Sequence, residues 1–326
     1  MSLQDSFGRR FKTLRISVTD RCDLRCTYCM PAEGMAWLPK QDLLSFEELE
    51  RLAKIFVQAG ISRLRLTGGE PLLRQDLGVL VGKLARIPGV EDLSLTTNGT
   101  RLEGQALALK QAGLQRVTVS LDSLDAARFK AITRSGDLQM VWQGLLAADR
   151  AGLGPIKINC VVLPENEADL LPLAALTLER SWEVRFIEAM PVSAALGHSV
   201  KAGLSLAALK QRLSERWGAL EAVATDPHAP ARRWRLPHSL GKLGFIASVS
   251  ESFCQSCDRL RLSATGRLQL CMAHPDGLDL RPLLRGGASD AQVTEAIAAA
   301  VWRKPAGHTF FQTPVPAGLA MSQIGG

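Results

Sequence analysis

Short β-forming apolar runs alternate with longer stretches of helical spacing along the first 190 positions of the chain. Such runs, bounded by turn residues, are typical of strands, whereas apolar residues at three- and four-residue intervals are typical of helices. The pattern predicts six strands, at residues 14–18, 63–67, 92–96, 116–121, 156–163 and 184–188. The clearest helix covers residues 45–60, because Ser45 and Glu48 can form a capping box at its start and Gly60 can end it.

Alternation of strands with helices predicts a parallel sheet, because parallel strands need long crossover connections. Polar and glycine-rich clusters follow the first four strands, as "TDRC", "TGGEP", "TNG" and "DS". Barrel-type enzymes carry their active sites at this carboxyl end of the strands. We therefore predict an α/β fold in which residues 1–190 form a partial (βα)6 TIM-like barrel.

The pattern changes past Met190, so residues 191–326 are predicted to form a second, C-terminal module. Within it, "LGFIASVS" (243–250) predicts one strand. The segment "ARRWRLP" (231–237) is interpreted as a solvated basic segment.

Composition is that of a globular protein, with 326 residues of which 46% are hydrophobic and 5% aromatic. The N-terminus lacks the apolar core of a signal peptide, and no apolar run approaches the length of a membrane span. We therefore expect a soluble cytoplasmic protein with reduced thiols. The net charge of +7 allows a polyanionic partner, although charge alone favours a simple solvated basic surface.

Six of the seven cysteines fall into two groups of three, which we call the first and second tripods. They are spaced Cys22-x3-Cys26-x2-Cys29 and Cys254-x2-Cys257-x13-Cys271. A structural zinc site uses four ligands, so zinc would require pooling the groups or adding His274. Three cysteines instead suit a 4Fe–4S cluster that keeps one iron open. Cys160, inside a predicted strand, is interpreted as a small core residue.

Several arginines occupy positions that alternate with apolar residues, as polar positions of a strand do. Arg15 and Arg65 lie on the polar face of the first two strands, and Arg259 and Arg261 share a face if their segment is extended. An arginine that faces a barrel interior is costly unless it is paired. The partner is either a bound anion or a buried carboxylate such as Glu70.

Several motifs together resemble one family. "CDLRCTYC" and "TGGEP" resemble the signatures of radical S-adenosylmethionine (SAM) enzymes. "LRISVTDRCDLRCTYCMP", "RLTGGEPLLR", "TTNG", "VSLDS", "RFIEAMP", "SFCQSCDRLRLSATG" and the terminal "GG" occur in order over nearly the whole chain. Together they resemble the GTP 3′,8-cyclases, which catalyse the first step of molybdenum cofactor biosynthesis.

The resemblance implies two 4Fe–4S clusters, one on each tripod, with the second in the C-terminal module. It implies that a 5′-deoxyadenosyl radical made from SAM abstracts hydrogen from C3′ of GTP. The product implied is (8S)-3′,8-cyclo-7,8-dihydroguanosine 5′-triphosphate. The partners that the resemblance implies for the protein are GTP, a reductant protein and a downstream pterin-forming enzyme. A homodimer is possible, and neither a membrane nor a nucleic acid is expected as a partner.

The resemblance also assigns residues, position by position. It implies that SAM contacts Tyr28, Gly69, Ser120 and Met190. It implies that GTP contacts Arg15, Arg65, Thr96, Lys157, Arg259, Leu260 and Arg261, with Arg259 and Arg261 as the catalytic pair. It further implies that the terminal Gly325 and Gly326 enter the active-site pocket.

Two other functions remain open from the residues themselves. One is a different radical SAM enzyme with an auxiliary cluster, acting on a peptide or RNA, which would not need the arginine set. The other is a nucleic-acid-binding module with zinc knuckles, which would need exposed aromatic side chains that this aromatic-poor chain lacks.

Overall fold

The computed structural model describes residues 2–191 and 203–308, together with residues 310 and 321. The terminal Gly325 and Gly326 lie outside these described residues. The strands in the described part are β1 (Thr13–Ser17), β2 (Arg63–Thr67), β3 (Asp92–Thr97), β4 (Arg116–Ser120), β5 (Lys157–Val162), β6 (Glu183–Glu188), β7 (Glu221–Val223), β8 (Arg232–Arg235), β9 (Lys242–Ile246), β10 (Arg259–Leu262), β11 (Arg267–Gln269) and β12 (Gly277–Asp279). The helices are α1 (Phe46–Gln58), α2 (Leu77–Ala85), α3 (Ala106–Gln111), α4 (Ala126–Thr133), α5 (Leu138–Arg150), α6 (Leu170–Glu179), α7 (Leu206–Trp217), α8 (Arg281–Arg285) and α9 (Asp290–Trp302).

All of these strands belong to one sheet, in the order β12-β11-β10-β1-β2-β3-β4-β5-β6-β9-β8-β7. Strands β1 to β6 are parallel neighbours joined by helical crossovers, as the alternating pattern predicts. The partial (βα)6 barrel is therefore confirmed, with strand ends within two residues of those predicted. The predicted helix at 45–60 is α1, and its capping box is present: Ser45 Oγ accepts from Glu48 N (3.1 Å) while Ser45 N donates to the Glu48 carboxylate (2.8 Å).

The segment beyond residue 191 extends this same sheet at both edges. Strand β9 pairs parallel to β6, and β10 pairs parallel to β1, whereas β7, β8, β11 and β12 are added antiparallel. The two predicted modules thus share one sheet, and the boundary at residue 190 stays a prediction. The interpretation of 231–237 as a solvated segment is wrong in part, because β8 pairs with β9 and buries Ala231 and Leu236.

The two faces of the parallel strands differ sharply in polarity. Apolar side chains at alternate positions, such as Leu14, Leu64 and Val117, are fully buried in one core together with residues of the surrounding helices. Cys160 lies in this core too. The intervening polar positions must therefore face the opposite side, the lumen of the barrel. No helix of the described residues is long and apolar enough to cross a membrane.

Candidate active site

The first tripod lies in the loop that leaves the carboxyl end of β1. The N–H of Cys29 donates to the carbonyl oxygen of Cys26 at 2.9 Å, which folds the loop into a tight turn. Asn98, just past β3, donates from its side-chain amide to Asp23 at 2.7 Å and lies 3.9 Å from the sulfur of Cys22. The cysteine loop is thereby fastened to the neighbouring loop after β3.

Gly69 follows β2 and packs against the start of the cysteine loop. Its N–H donates to the carbonyl oxygen of Thr19 at 2.8 Å. A Cβ atom at this position would lie 2.3 Å from the carbonyl oxygen of Arg21, so no other residue fits without a backbone shift. Gly69 therefore allows the loops after β1 and β2 to touch, a constraint that the sequence did not reveal.

Glu70 joins the loops after β2 and β3. Its buried carboxylate accepts hydrogen bonds from Thr97 Oγ1 (2.7 Å), Asn98 N (2.7 Å) and Leu72 N (3.0 Å). Burial raises the pKa of Glu70 to about 7 in spite of these hydrogen bonds. Glu70 is therefore engaged with the strand-end loops and is not the counter-ion of Arg15 that the sequence left open.

Tyr28 is held by a carboxylate from the loop after β4. Its hydroxyl donates to Asp122 Oδ2 at 2.7 Å, and Asp122 Oδ1 accepts from the N–H of Val161 at 2.8 Å. Burial raises the pKa of Asp122 to about 6. Ser120 ends β4 and Met190 lies just past β6, so Tyr28, Gly69, Ser120 and Met190 all stand at the carboxyl end of the strands.

The thiols of the first tripod fit an iron–sulfur cluster. The three thiols lie close together in one tight loop, and burial raises the pKa of Cys22 to about 12 and that of Cys26 well above its usual value. None of the described cysteines forms a disulfide. Among the described residues no three His, Cys, Asp or Glu side chains can hold a single metal ion, whereas each cysteine of a cluster binds a separate iron.

The second tripod lies at the opposite end of the parallel strands. Cys254 and Cys257 directly precede β10, and Cys271 follows the antiparallel β11, so all three lie at the amino end of β10. The first tripod instead follows the carboxyl end of β1, the parallel neighbour of β10. The two tripods are therefore separated along the lumen by about one strand, roughly 16 Å for five residues.

A row of arginines lies between the two tripods. Arg261, Arg15 and Arg65 occupy the same register position on β10, β1 and β2, and Arg259 stands two residues earlier on the same face as Arg261. Leu260, predicted with them, is fully buried in the core. Its side chain therefore cannot reach a lumen ligand, and only its main chain is available for one.

The positive charges of the arginines lower one another's pKa values. Burial and then the charges of Arg261, Arg65 and Arg259 hold the pKa of Arg15 well below its usual value. Burial lowers the pKa of Arg65 to about 10, with Arg185 the largest charge contribution, and burial and Arg259 lower that of Arg261 to about 10. Cations crowded in this way are stabilised by a bound polyanion.

Lys157 and Thr96 border the same lumen. Lys157 begins β5 and is only 3% exposed, and burial followed by the charges of Arg185 and Arg116 lowers its pKa to about 6. Thr96 lies on β3 in register with Thr118, itself the partner of Lys157. Its hydroxyl is buried without a hydrogen-bond partner among the described residues, so it is available to a ligand.

Sequence reasoning missed two further cations and two carboxylates of the lumen. Arg116 pairs with Asp92 at 2.5 Å across β3 and β4, and Arg185 pairs with Glu183 at 2.6 Å on β6. Arg116, Asp92 and Arg185 lie within predicted strands, and this was a signal that could have found them, whereas Glu183 directly precedes the predicted strand at 184–188. Among the described residues these two carboxylates are engaged by Arg116 and Arg185, so they do not balance the charges of the arginine row.

Two family descriptions together match nearly the whole chain. The Radical SAM superfamily matches residues 16–177, and Molybdenum Cofactor Synthesis C matches residues 182–310. In solved structures the fold is similar to that of SuiB from Streptococcus suis bound to S-adenosylmethionine, with a TM-score of 0.61. That match has 14% identity and covers 89% of this chain and 69% of the other, so it shows the fold alone.

Curated relatives match from end to end. The chain is 43% identical to the GTP 3′,8-cyclase of Moorella thermoacetica, over 99% of this chain and 100% of the relative. It is 42% identical to that of Pelotomaculum thermopropionicum with the same coverage. It is 45% identical to GTP 3′,8-cyclase 2 of Mycobacterium tuberculosis, over 99% of this chain and 92% of the relative. The chain therefore belongs to the GTP 3′,8-cyclase family within the radical SAM superfamily.

Proposed function

We propose that the protein converts GTP to (8S)-3′,8-cyclo-7,8-dihydroguanosine 5′-triphosphate, the first step of molybdenum cofactor biosynthesis. One observation carries the proposal: a row of half-buried arginines lies in a polar lumen between two cysteine tripods at opposite ends of the strands. A triphosphate is an anion of the size and charge that such a row binds, because each charge-assisted hydrogen bond contributes about 1.5–3 kcal/mol. A peptide substrate would not need this concentration of positive charge.

In this proposal each tripod holds one 4Fe–4S cluster. The first cluster, which would bind SAM, would be held by Cys22, Cys26 and Cys29. The second cluster would be held by Cys254, Cys257 and Cys271. When bound, the first cluster and SAM would supply the radical chemistry, and the second cluster would supply a binding site for the guanine.

The chain itself places the two substrates. Gly69 keeps the loops after β1 and β2 in contact, and Asp122 orients Tyr28, so that the SAM pocket is formed before SAM binds. Across the lumen, Arg15, Arg65 and Arg261 hold the triphosphate at one register level, with Arg259, Lys157 and Thr96 around it.

The lumen also shields the reaction. Its walls are strands whose outer faces are packed against helices, which limits the paths by which water reaches the reacting groups. These strands would keep a radical formed in the lumen away from bulk solvent and close to the bound substrate. The reductant protein, the pterin-forming enzyme downstream and a homodimer remain expectations from the family resemblance.

The triphosphate assignment is tested with Arg261→Ala in protein reconstituted anaerobically with iron and sulfide. GTP affinity should fall about tenfold or more, since a charge-assisted contact is lost. SAM affinity should not change, because the SAM pocket lies past the carboxyl ends of the strands and Arg261 lies within its strand. Arg86→Ala, which removes an exposed arginine just past α2, is the matched control.

Two results contradict the proposal, and a third requires a different variant. Unchanged GTP affinity in Arg261→Ala means that the arginine row does not bind the triphosphate. Equal loss of GTP and SAM affinity means that the variant misfolds, and Arg65→Ala then replaces it as the test. Failure of the parent protein to form cyclic nucleotide from GTP, SAM and a reductant contradicts the cyclase assignment itself.

A further inference from the structure

Lys304 is a buried cation that the proposed chemistry does not use. It follows α9, is 4% exposed, and forms no ion pair with a carboxylate among the described residues. Its ammonium group donates to the carbonyl oxygen of Leu270 and to that of Arg259 (3.3 Å), and lies 5.5 Å from the ring of Phe11. Leu270 directly precedes Cys271, so Lys304 holds the chain at the edge of the second tripod.

Arg9 holds the same tripod from the N-terminal side. Its guanidinium, which is 9% exposed, is ion-paired with the buried Asp5 at 2.6 Å. It also donates to the carbonyl oxygen of Cys254 at 2.8 Å, and to those of Pro305 (2.6 Å) and Ala306 (2.9 Å). Because Asp5 neutralises its charge, the contribution of Arg9 to the tripod is one of geometry.

Residues 304–307, which we call the 304–307 strap, are fastened beside the second tripod at a third point. The ring Nε2 of His274 lies 3.0 Å from the carbonyl oxygen of Gly307, and His274 itself is three residues past Cys271. A Cβ atom on Gly307 would lie 4.0 Å from the sulfur of Cys254. The strap therefore forms a wall of the site and is tied to it through Arg9, Lys304 and His274.

We propose that Arg9 and Lys304 are positioning residues of the second tripod, and that Lys304 also stabilises the reduced state of the cluster bound there. This inference rests on the proposed second cluster. Hydrogen bonds to the backbone around metal ligands fix the ligands in place and increase metal affinity. A thiolate-ligated cluster gains a negative charge on reduction, so a buried ammonium beside it favours the reduced form and raises its reduction potential.

The experiment uses the full chain with the first three cysteines replaced by serine, so that only the second cluster assembles. Iron per chain, the rate of iron loss to a chelator and the midpoint potential from an EPR-monitored titration are measured under anaerobic conditions. Lys304→Met should lower the midpoint potential and speed iron loss about tenfold to a hundredfold. Arg9→Met should speed iron loss by a similar factor and leave the midpoint potential unchanged, because its charge is already neutralised.

The exposed neighbours Arg303→Met and Arg10→Met are the matched controls and should behave like the parent. Lys304→Gln keeps a hydrogen-bond donor but removes the charge, so its potential should fall even if Lys304→Met does not fold. Equal midpoint potentials for the Lys304 variants and Arg303→Met overturn the charge role. Equal iron retention in Arg9→Met and Arg10→Met overturns the positioning role of Arg9. A parent that binds no iron at the second tripod shows that the proposed second cluster is wrong, and the inference falls with it.

Discussion

Binding of GTP should be coupled to uptake of a proton by Lys157. In the unliganded lumen, burial and the charges of Arg185 and Arg116 lower the pKa of this lysine to about 6. At pH 8 its amine is therefore neutral in about 99% of molecules. A triphosphate placed against it favours the charged form and raises the pKa again, so that binding takes up about one proton.

The size of the pH dependence of GTP affinity follows from the same pKa of Lys157. At pH 7.5 the amine lies about 1.5 pH units above a pKa of about 6, so charging it costs about 2 kcal/mol of binding free energy. The bound state holds more protons, and affinity must therefore fall as pH rises, by about tenfold per unit between pH 7.5 and 9. Arg65 and Arg261, whose pKa values lie near 10, stay charged over most of this range and contribute little.

Isothermal titration calorimetry measures this uptake directly. GTP is titrated at one pH in buffers of different ionisation enthalpy, and the slope of the observed enthalpy gives the number of protons bound. Working above pH 7.5 avoids titration of the γ-phosphate itself. In Lys157→Arg the guanidinium is charged throughout, so the slope should fall close to zero.

Two outcomes refute the reasoning. One is GTP affinity in the parent protein that does not change between pH 7.5 and 9. The other is an equal proton uptake in Lys157→Met, which would place the titrating group elsewhere. The same shift has a consequence for the unliganded fold, because the unfolded chain binds more protons than the folded one above pH 6, and stability should therefore rise with pH over that range.

Three further predictions concern other parts of the site. Iron analysis and product assays should show that Cys26→Ser keeps about four irons per chain and no longer cleaves SAM. Cys257→Ser should also keep about four irons but retain some SAM cleavage without forming cyclic product. Full cyclase activity in Cys257→Ser would contradict a catalytic second cluster. Asp122→Asn should weaken SAM binding about tenfold, since Tyr28 loses a charged hydrogen-bond acceptor, while iron content is unchanged; equal SAM affinity would mean that Tyr28 needs no such support. Deletion of residues 325–326 should abolish cyclisation but not cluster or SAM binding, measured as cyclic product per SAM cleaved; a normal yield would mean that the tail is a dispensable terminus.

The sequence by itself determined the local elements of this protein. Strand β2 lies where the pattern predicts it, and α1 begins at the predicted capping box of Ser45 and Glu48. Alternation also placed Arg15 and Arg65 on the polar face of their strands. These features depend on neighbours within a few residues, and the intrinsic geometry of strands and helices is enough to fix them.

Short strands near the C-terminus were less accessible to this reasoning. Strands β7, β8, β11 and β12 have only three or four residues, too few for a period of two to stand out. Their conformation is set by pairing at the sheet edges. The segment 231–237 is an example, because its basic composition alone predicts a solvated segment whereas β9 pairs with it in the sheet.

The tertiary structure alone decided how the site is assembled. Strand β10 inserts beside β1 and in parallel, which aligns Arg261 with Arg15 and sends the two tripods to opposite ends of the lumen. The contacts of Tyr28 with Asp122 and of Lys304 with Leu270 likewise join residues that are far apart in the chain. Such pairings depend on which faces of the whole sheet remain to be covered once its core has formed, and no local periodicity encodes that choice.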